Sequence, residues 1–346
     1  MDQMSKVTII TTGGTIASGR DPESGQGRMV QGQQLIGGVP GISGLAEIEV
    51  EEFCRVGSSQ MLPADMFYLS RRVSEVLGDP AVAGAVVTHG TDTLEETAMM
   101  LATTIDSPKP VVVTGAMRVG QELGSDGPRN IWASVRTVLS PEAGGRGVLV
   151  VLNDDILAAH EATKAHSSRP DTFEAPGFGP LGRSDLDGVV FFREPSPCAH
   201  IPAERVETNV DLIKSAAGMD ARYVEASVAG GAKGIVVEGM GKGNVPRLLA
   251  EGLVKAARLG VVVVMVTRCR EGGVAHSGAL GDAVLVWASG INGQKARIKL
   301  MVALGYTVDP AEVRKIWSEC TSPPGPTISA HPYVPTAITP RSQSRW

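Results

Sequence analysis

No apolar run in this chain approaches the length of a membrane span: the longest, Val261 to Val266, is about six residues against the ~20 a bilayer needs. Cysteine is nearly as sparse. The four present, Cys54, Cys198, Cys269 and Cys320, lie far apart with no CxxC pair, which removes a disulfide framework and leaves free thiols in a reducing cytoplasm as the expectation. No spacing of Cys, His, Asp or Glu suits a metal, so neither a metal nor any other cofactor is expected. Aromatic residues make up only 4%, and a net charge of −5 offers no clustered basic face, which argues against nucleic acid as a partner. A strand begins at Val7, leaving no room for the charged and apolar regions of a secretory leader. No repeat of fixed period is visible.

What is abundant is glycine, 42 residues of 346, as expected of a fold with many strand-to-helix turns. The stretch Ala85 to Ala98 shows the pattern. An apolar β-branched run stops at His89-Gly90 and passes into Thr91-Asp92-Thr93 and a helix beginning near Leu94. In an open parallel sheet, ligands sit beyond the carboxyl ends of the strands, so these three side chains are presented at the mouth of a crevice. They can cap the helix or bind a substrate, and the segment alone leaves both open.

The same logic recurs along the chain. Val7 to Thr12 breaks at Gly13-Gly14-Thr15; Ile48 to Val56 breaks at Gly57-Ser58-Ser59; Val111 to Thr114 ends in Gly115-Ala116-Met117-Arg118. Ser125-Asp126-Gly127-Pro128 leads into a helix to about Leu139, and Val148 to Leu152 is another strand. Residues 19 to 34, rich in Gly and Gln, read as a loop close to Thr15, either a lid or a solvated connector. Strands that are apolar throughout and alternate with helices predict a parallel sheet covered on both faces. The polar excursion Leu157 to Phe178, carrying Lys164, breaks that rhythm. The expected organisation is α/β: an N-terminal parallel-sheet catalytic domain over 1–193, a linker over 194–207, a smaller α/β domain over 208–320, and a Pro-rich tail over 321–346 that reads as disordered.

Side by side, the strand ends offer Thr15, Ser58, Ser59, Thr91, Asp92 and Ala116, with Lys164 available from the excursion. A threonine hydroxyl is a poor nucleophile until a base takes its proton, and lysine can be that base. A carboxylate and several hydroxyls suit a substrate carrying both a cation and an anion. Asp126 reads as a turn former and His89 as a residue that shapes its turn.

These residues resemble the bacterial-type L-asparaginases, the asparaginase/glutaminase amidohydrolases. The resemblance rests on Thr12-Gly-Gly-Thr-Ile-Ala17, Val87-Thr-His-Gly-Thr-Asp-Thr-Leu-Glu-Glu-Thr97, Thr114-Gly-Ala-Met-Arg118 with Ser125-Asp-Gly-Pro128, and Thr163-Lys164 with Phe173 and Gly179-Pro-Leu-Gly182. It continues through Gly243-Asn244, Ala288-Ser-Gly290 and Gln294-Lys-Ala-Arg297, covering about residues 6 to 320. It implies a larger domain of flavodoxin-like character and release of ammonia from a side-chain amide, that of L-asparagine alone or of glutamine as well. Thr15 matches the nucleophile that forms an acyl-enzyme, and Thr91, Asp92 and Lys164 match a triad-like cluster. Asp92 would also bind the α-ammonium and Ser58 the α-carboxylate, while Ala116 would offer its carbonyl to the leaving nitrogen. Asn244 would reach a neighbouring subunit's site in a homodimer or homotetramer.

Two departures stand out. The family's loop tyrosine is missing, since Ile16 to Glu52 contains none and Arg28 or Met29 lies nearest its place; and Asp282 is the only acid where a cross-subunit glutamate is usual. Ser59 also replaces a glutamine. Either the Thr91 cluster carries the reaction on asparagine, or the site serves a different small amide. Rivals are a non-catalytic small-ligand binding protein and an amidotransferase subunit; the latter's extra N-terminal domain does not fit a first strand at Val7. A phosphate-binding reading of Gly13-Gly14 lacks a Walker lysine or a GxGxxG pattern.

Overall fold

The computed structural model describes residues 4–20, 27–29, 31–276, 278 and 280–318, with the backbone alone for 18–20 and 27–29. The proline-rich tail and Cys320 lie outside them. In the first half of the chain the order is β1 (Lys6–Gly13), β2 (Ser18–Arg20), β3 (Gly27–Met29), α1 (Gly32–Gly37), β4 (Glu47–Val56), α2 (Pro63–Leu77), β5 (Val82–Thr88) and α3 (Leu94–Thr104). Then follow β6 (Val111–Thr114), α4 (Gly127–Leu139), β7 (Val148–Leu152), β8 (Asp155–Ala158), β9 (Thr163–Lys164), β10 (Phe173–Glu174), β11 (Gly182–Ser184) and β12 (Val189–Phe191). The second half adds β13 (Val210–Lys214), α5 (Arg222–Ala229), β14 (Gly234–Gly239), α6 (Arg247–Arg258), β15 (Val262–Thr267), β16 (Val286–Trp287), α7 (Gly293–Tyr306) and α8 (Pro310–Ser318).

The large sheet has the order β12-β11-β8-β7-β6-β5-β1-β4. Its five strands from β7 to β4 are parallel, and their order is that of a flavodoxin-like sheet, with the switch point between β1 and β5. The sequence explains why these strands are central. Val86, Val112, Leu149 and Val151 point to one face, against Ile131 and Val135 of α4. Their neighbours Val87, Val113 and Val150 point to the other, against Leu69, Leu94 and Leu101 of α2 and α3. Period-two alternation with both phases apolar is what a strand covered on both sides requires.

The sheet is mixed rather than wholly parallel. At Asn153 (φ 49°) and Asp154 (φ 66°) the chain makes a tight reversal, so β8 runs antiparallel to β7, and β11 and β12 continue that edge. An Asn-Asp pair tolerates the left-handed conformation that such a hairpin needs. Part of the segment expected to be loop is ordered as well: β2 pairs with β3 antiparallel, and α1 follows. The strands β11 and β13 and the helix α5 were not anticipated, being short and interrupted by charge.

The second sheet is parallel, in the order β13-β14-β15-β16. Its helix α7 packs on α3, so Ile298, Leu300 and Met301 join the same core as Met99 and Met100. The connecting stretch is also anchored. Ile201 and Ala203 are buried, the Ile201 amide donates to the Thr103 carbonyl at 2.7 Å, and that of Glu207 to the Met301 carbonyl at 2.9 Å.

Candidate active site

The crevice at the switch point is built by two glycine turns pressed together. Gly13 and Gly14 end β1 with φ of 102° and 79°, a region that L side chains rarely adopt. A Cβ on Gly14 would collide with the Gly90 backbone; one on Gly90 would stand 2.7 Å from Ser58 Oγ and 3.0 Å from Gly14 Cα. The turns carrying Thr15 and Thr91 therefore meet backbone to backbone, with the Ser58 side chain against Gly90. Thr15 opens a 3-10 turn over Thr15–Ala17, held by the Gly14 amide on the Val56 carbonyl (3.2 Å) and the Ala17 amide on the Gly14 carbonyl (3.1 Å).

At the end of β5 the fastening is by side chains. Lys164 Nζ donates to Thr91 Oγ1 at 2.9 Å and to Asp92 Oδ1 at 2.7 Å, with Thr91 buried and two-thirds of the Asp92 side chain open to solvent. The buried Ser58 accepts the Asp92 amide on Oγ at 3.2 Å, and its carbonyl accepts the Thr93 hydroxyl at 2.7 Å. The polar excursion that broke the sheet's rhythm thus delivers its one lysine, on the β9-β10 ribbon, to the β5 turn.

Ala116 is buried beside the Thr15 turn, since the Cβ of a side chain at Gly127 would lie 3.2 Å from Ile16 and 3.5 Å from Ala116. Asp126 fixes this strand end by accepting the amides of Met117 (3.0 Å) and Arg118 (2.9 Å). Asn130 of α4 donates to the Gly115 carbonyl at 2.9 Å and to Asp126 at 3.1 Å. His89 is wholly buried between the Gly90 carbonyl (2.7 Å) and the Thr97 hydroxyl (2.9 Å), and desolvation lowers its pKa to about 4, so it is neutral and shapes the turn.

Behind Lys164 lies a network that sequence reasoning missed. The buried carboxylate of Glu95 accepts the Thr163 hydroxyl (2.7 Å), Asn292 Nδ2 (2.7 Å) and Gln294 Nε2 (3.2 Å), and Asn292 also reaches Thr163 Oγ1 at 2.6 Å. Asn292 caps α7, accepting the Lys295 amide at 3.0 Å, while Lys295 Nζ donates to the carbonyls of His160 (2.9 Å) and Ala162 (2.7 Å). Burial pushes the neighbouring Glu96 carboxyl up to about 7, with the Glu95 charge adding and Arg297 opposing. Two signals pointed there: a Glu-Glu pair in the first turn of an otherwise apolar helix, and Asn292 ahead of a periodic segment.

The remaining candidates are not brought into this cluster. Ser59 is exposed, its hydroxyl accepting from the Gln60 side-chain Nε2 at 3.5 Å. Asn244 is exposed on the turn after β14, bridged to Met240, and Asp282 is exposed on a 3-10 turn. Across the β2-β3 ribbon, Met29 pairs with Ser18 and Arg28 with Gly19, so the segment where the resemblance expects a tyrosine folds back along the residues after Thr15. Among the described residues, no group of three His, Cys, Asp or Glu side chains could hold a metal, and no helix is long and apolar enough to cross a membrane.

The chain and its architecture have counterparts. A family model described as "Asparaginase, N-terminal" matches residues 6–197, and one described as "Glutaminase/Asparaginase C-terminal domain" matches residues 209–317. The chain is 34% identical to "L-asparaginase 2" of Bacillus subtilis (strain 168) over 326 residues, 91% of this chain and 87% of the relative. It is 33% identical to a "Glutaminase-asparaginase" of Pseudomonas fluorescens biotype A, covering 92% and 91%. The crystal structure of a probable cytoplasmic L-asparaginase from Campylobacter jejuni superposes with a TM-score of 0.84 at 34% identity, over 91% of this chain and 99% of that one.

Proposed function

The chain belongs to the asparaginase family, and we propose that it hydrolyses the side-chain amide of L-asparagine to aspartate and ammonia through a threonine ester. The observation that carries this reading is the Lys164 ammonium bridging Thr91 Oγ1 and Asp92 Oδ1 at the switch point of the sheet. Thr15 Oγ attacks the amide carbon; as the C–N bond breaks, the hydroxyl proton leaves with the nitrogen as ammonia. Water then adds to the ester carbon and the C–O bond to Thr15 breaks, restoring the hydroxyl. Thr91, polarised by Lys164, positions the water. Backbone N–H groups of the turns face the oxyanion, each such donor being worth ~3 kcal/mol of barrier.

The exposed carboxylate of Asp92 binds the substrate's α-ammonium, which then shares it with Lys164, and Ser58 binds the α-carboxylate. Ala116 offers its carbonyl to the leaving nitrogen from the β6 end. Ser59 touches the substrate from the rim in place of the family's glutamine. The exposed position of Asn244 supports a contribution to a partner's site in a homodimer or homotetramer, and the likeness to a probable cytoplasmic L-asparaginase supports a cytoplasmic location.

Ammonia release measured across L-Asn, L-Gln, their D forms and substituted amides tests the substrate. L-Asn is expected to lead; activity confined to an amide without an α-amino group overturns the assignment. Loss of turnover with retained binding in Thr15→Ala supports a hydrolase, whereas no turnover in the parent protein points to a binding protein. Light scattering tests the assembly.

A further inference from the structure

Away from the crevice, a cavity of about 30 Å³ lies where α7 and α8 meet the chain around His160 and Ser196. Its walls include Met99, His160, Ser196, Lys299 and Trp317, and none of Thr15, Ser58, Thr91, Asp92 or Lys164. The residue that sets it apart is Lys299, only 1% exposed, whose Nζ lies 4.5 Å from the centre of the Trp317 ring.

Lys295, one turn earlier on α7, is the natural comparison. It is as deeply buried, and its ammonium is satisfied by the carbonyls of His160 and Ala162. Among the described residues, no carboxylate, carbonyl or hydroxyl oxygen accepts from Lys299. The carboxylate beside His160, that of Glu161, is taken by Arg193, at 3.3 Å through one guanidinium nitrogen, and by the Ser196 amide (2.9 Å) and hydroxyl (2.7 Å). The ring face of Trp317 compensates the cation in part. The same tryptophan's Nε1–H is buried without an acceptor.

Two donors, one of them a full charge, thus adjoin this cavity with no acceptor bonded to either among the described residues. Leaving a buried ammonium without a counter-charge costs several kcal/mol. Some 30 Å³ is room for one or two water-sized species. We propose that this cavity is a binding site for a small monovalent anion of halide size, held by the Lys299 ammonium and the Trp317 indole N–H. Occupancy joins α8 to α7 through a charge neither helix supplies.

The test uses the full chain and chloride or bromide as probe. Melting temperature is measured against sodium chloride, with sodium gluconate holding ionic strength constant, and bromide is located by anomalous diffraction. A saturable rise in melting temperature is expected, with bromide density beside Lys299 Nζ. Lys299→Met should weaken the chloride response at least tenfold, while ammonia release stays at the parent rate. Trp317→Phe keeps a ring and removes the N–H, and should weaken the response by a smaller factor; it carries the test if Lys299→Met does not fold. Water alone in the cavity, or a chloride response unchanged in the variants, overturns the proposal.

Discussion

At the end of β5, Thr91 is held by side chains from other parts of the chain: Lys164 bonds it directly, Ser58 bonds the following amide, and Glu95 with Asn292 braces the strand that carries the lysine. At the end of β1, Thr15 sits on a turn held by main-chain bonds and by a glycine seam. The contrast separates two demands of the proposed reaction. A group that must deliver a proton or a water molecule needs fixed neighbours, whereas a nucleophile that becomes an ester and is released again needs a position and room to move.

Substitution at the two turns breaks this comparison most directly. Thr15→Ala and Thr91→Ala should each lower kcat by about a thousandfold or more, as removing members of a catalytic unit does. They should differ in what accumulates: mass spectrometry after an acid quench should find an acylated protein in Thr91→Ala and none in Thr15→Ala. Acylation in Thr15→Ala would exchange the two roles. Next in size, Asp92→Asn should raise KM for L-Asn roughly tenfold or more, the scale of a lost hydrogen bond to a charged group, and leave an amide without the α-amino group nearly unaffected.

Smaller effects sharpen the comparison. Asn292→Ala removes the cap of α7 and two donations to the network behind Lys164, and should destabilise the fold by about 1–3 kcal/mol in denaturant melts. It should lower kcat several-fold with little change in KM, because the lysine shifts while the substrate pocket stays. The smallest effect is expected from His89→Gln. His89 titrates near 4 when folded, below the 6.5 of the free side chain, so the unfolded chain takes up the extra proton. Stability is therefore lost as pH falls from 6.5 towards 4. His160 behaves alike, so the variant should flatten that slope without abolishing it.

The legible part of the molecule was the part governed by local pattern. Apolar runs ending in glycine located the parallel strands, and the hydroxyls after them located the crevice, because strand ends and turn chemistry are short-range properties. Apart from the resemblance, Lys164 stands out only as the one lysine of a polar excursion, and what aims it at Thr91 is a two-stranded ribbon of four residues that no periodicity reveals. The Glu95–Thr163–Asn292 network was invisible for a related reason. Its members are separated by up to 197 residues, and in sequence each has an ordinary use as a helix-start acid, a strand hydroxyl or a cap. Lys299 is hidden on α7 among residues that alternate charge with apolar bulk, where a lysine reads as solvated.

The seam between Gly14 and Gly90 limits how this protein could be altered, in nature or in the laboratory. Two main chains touch there, so neither position accepts a side chain and neither turn can be widened without displacing the other. Inherited change in the crevice must therefore enter at positions other than these two glycines, while the floor stays fixed.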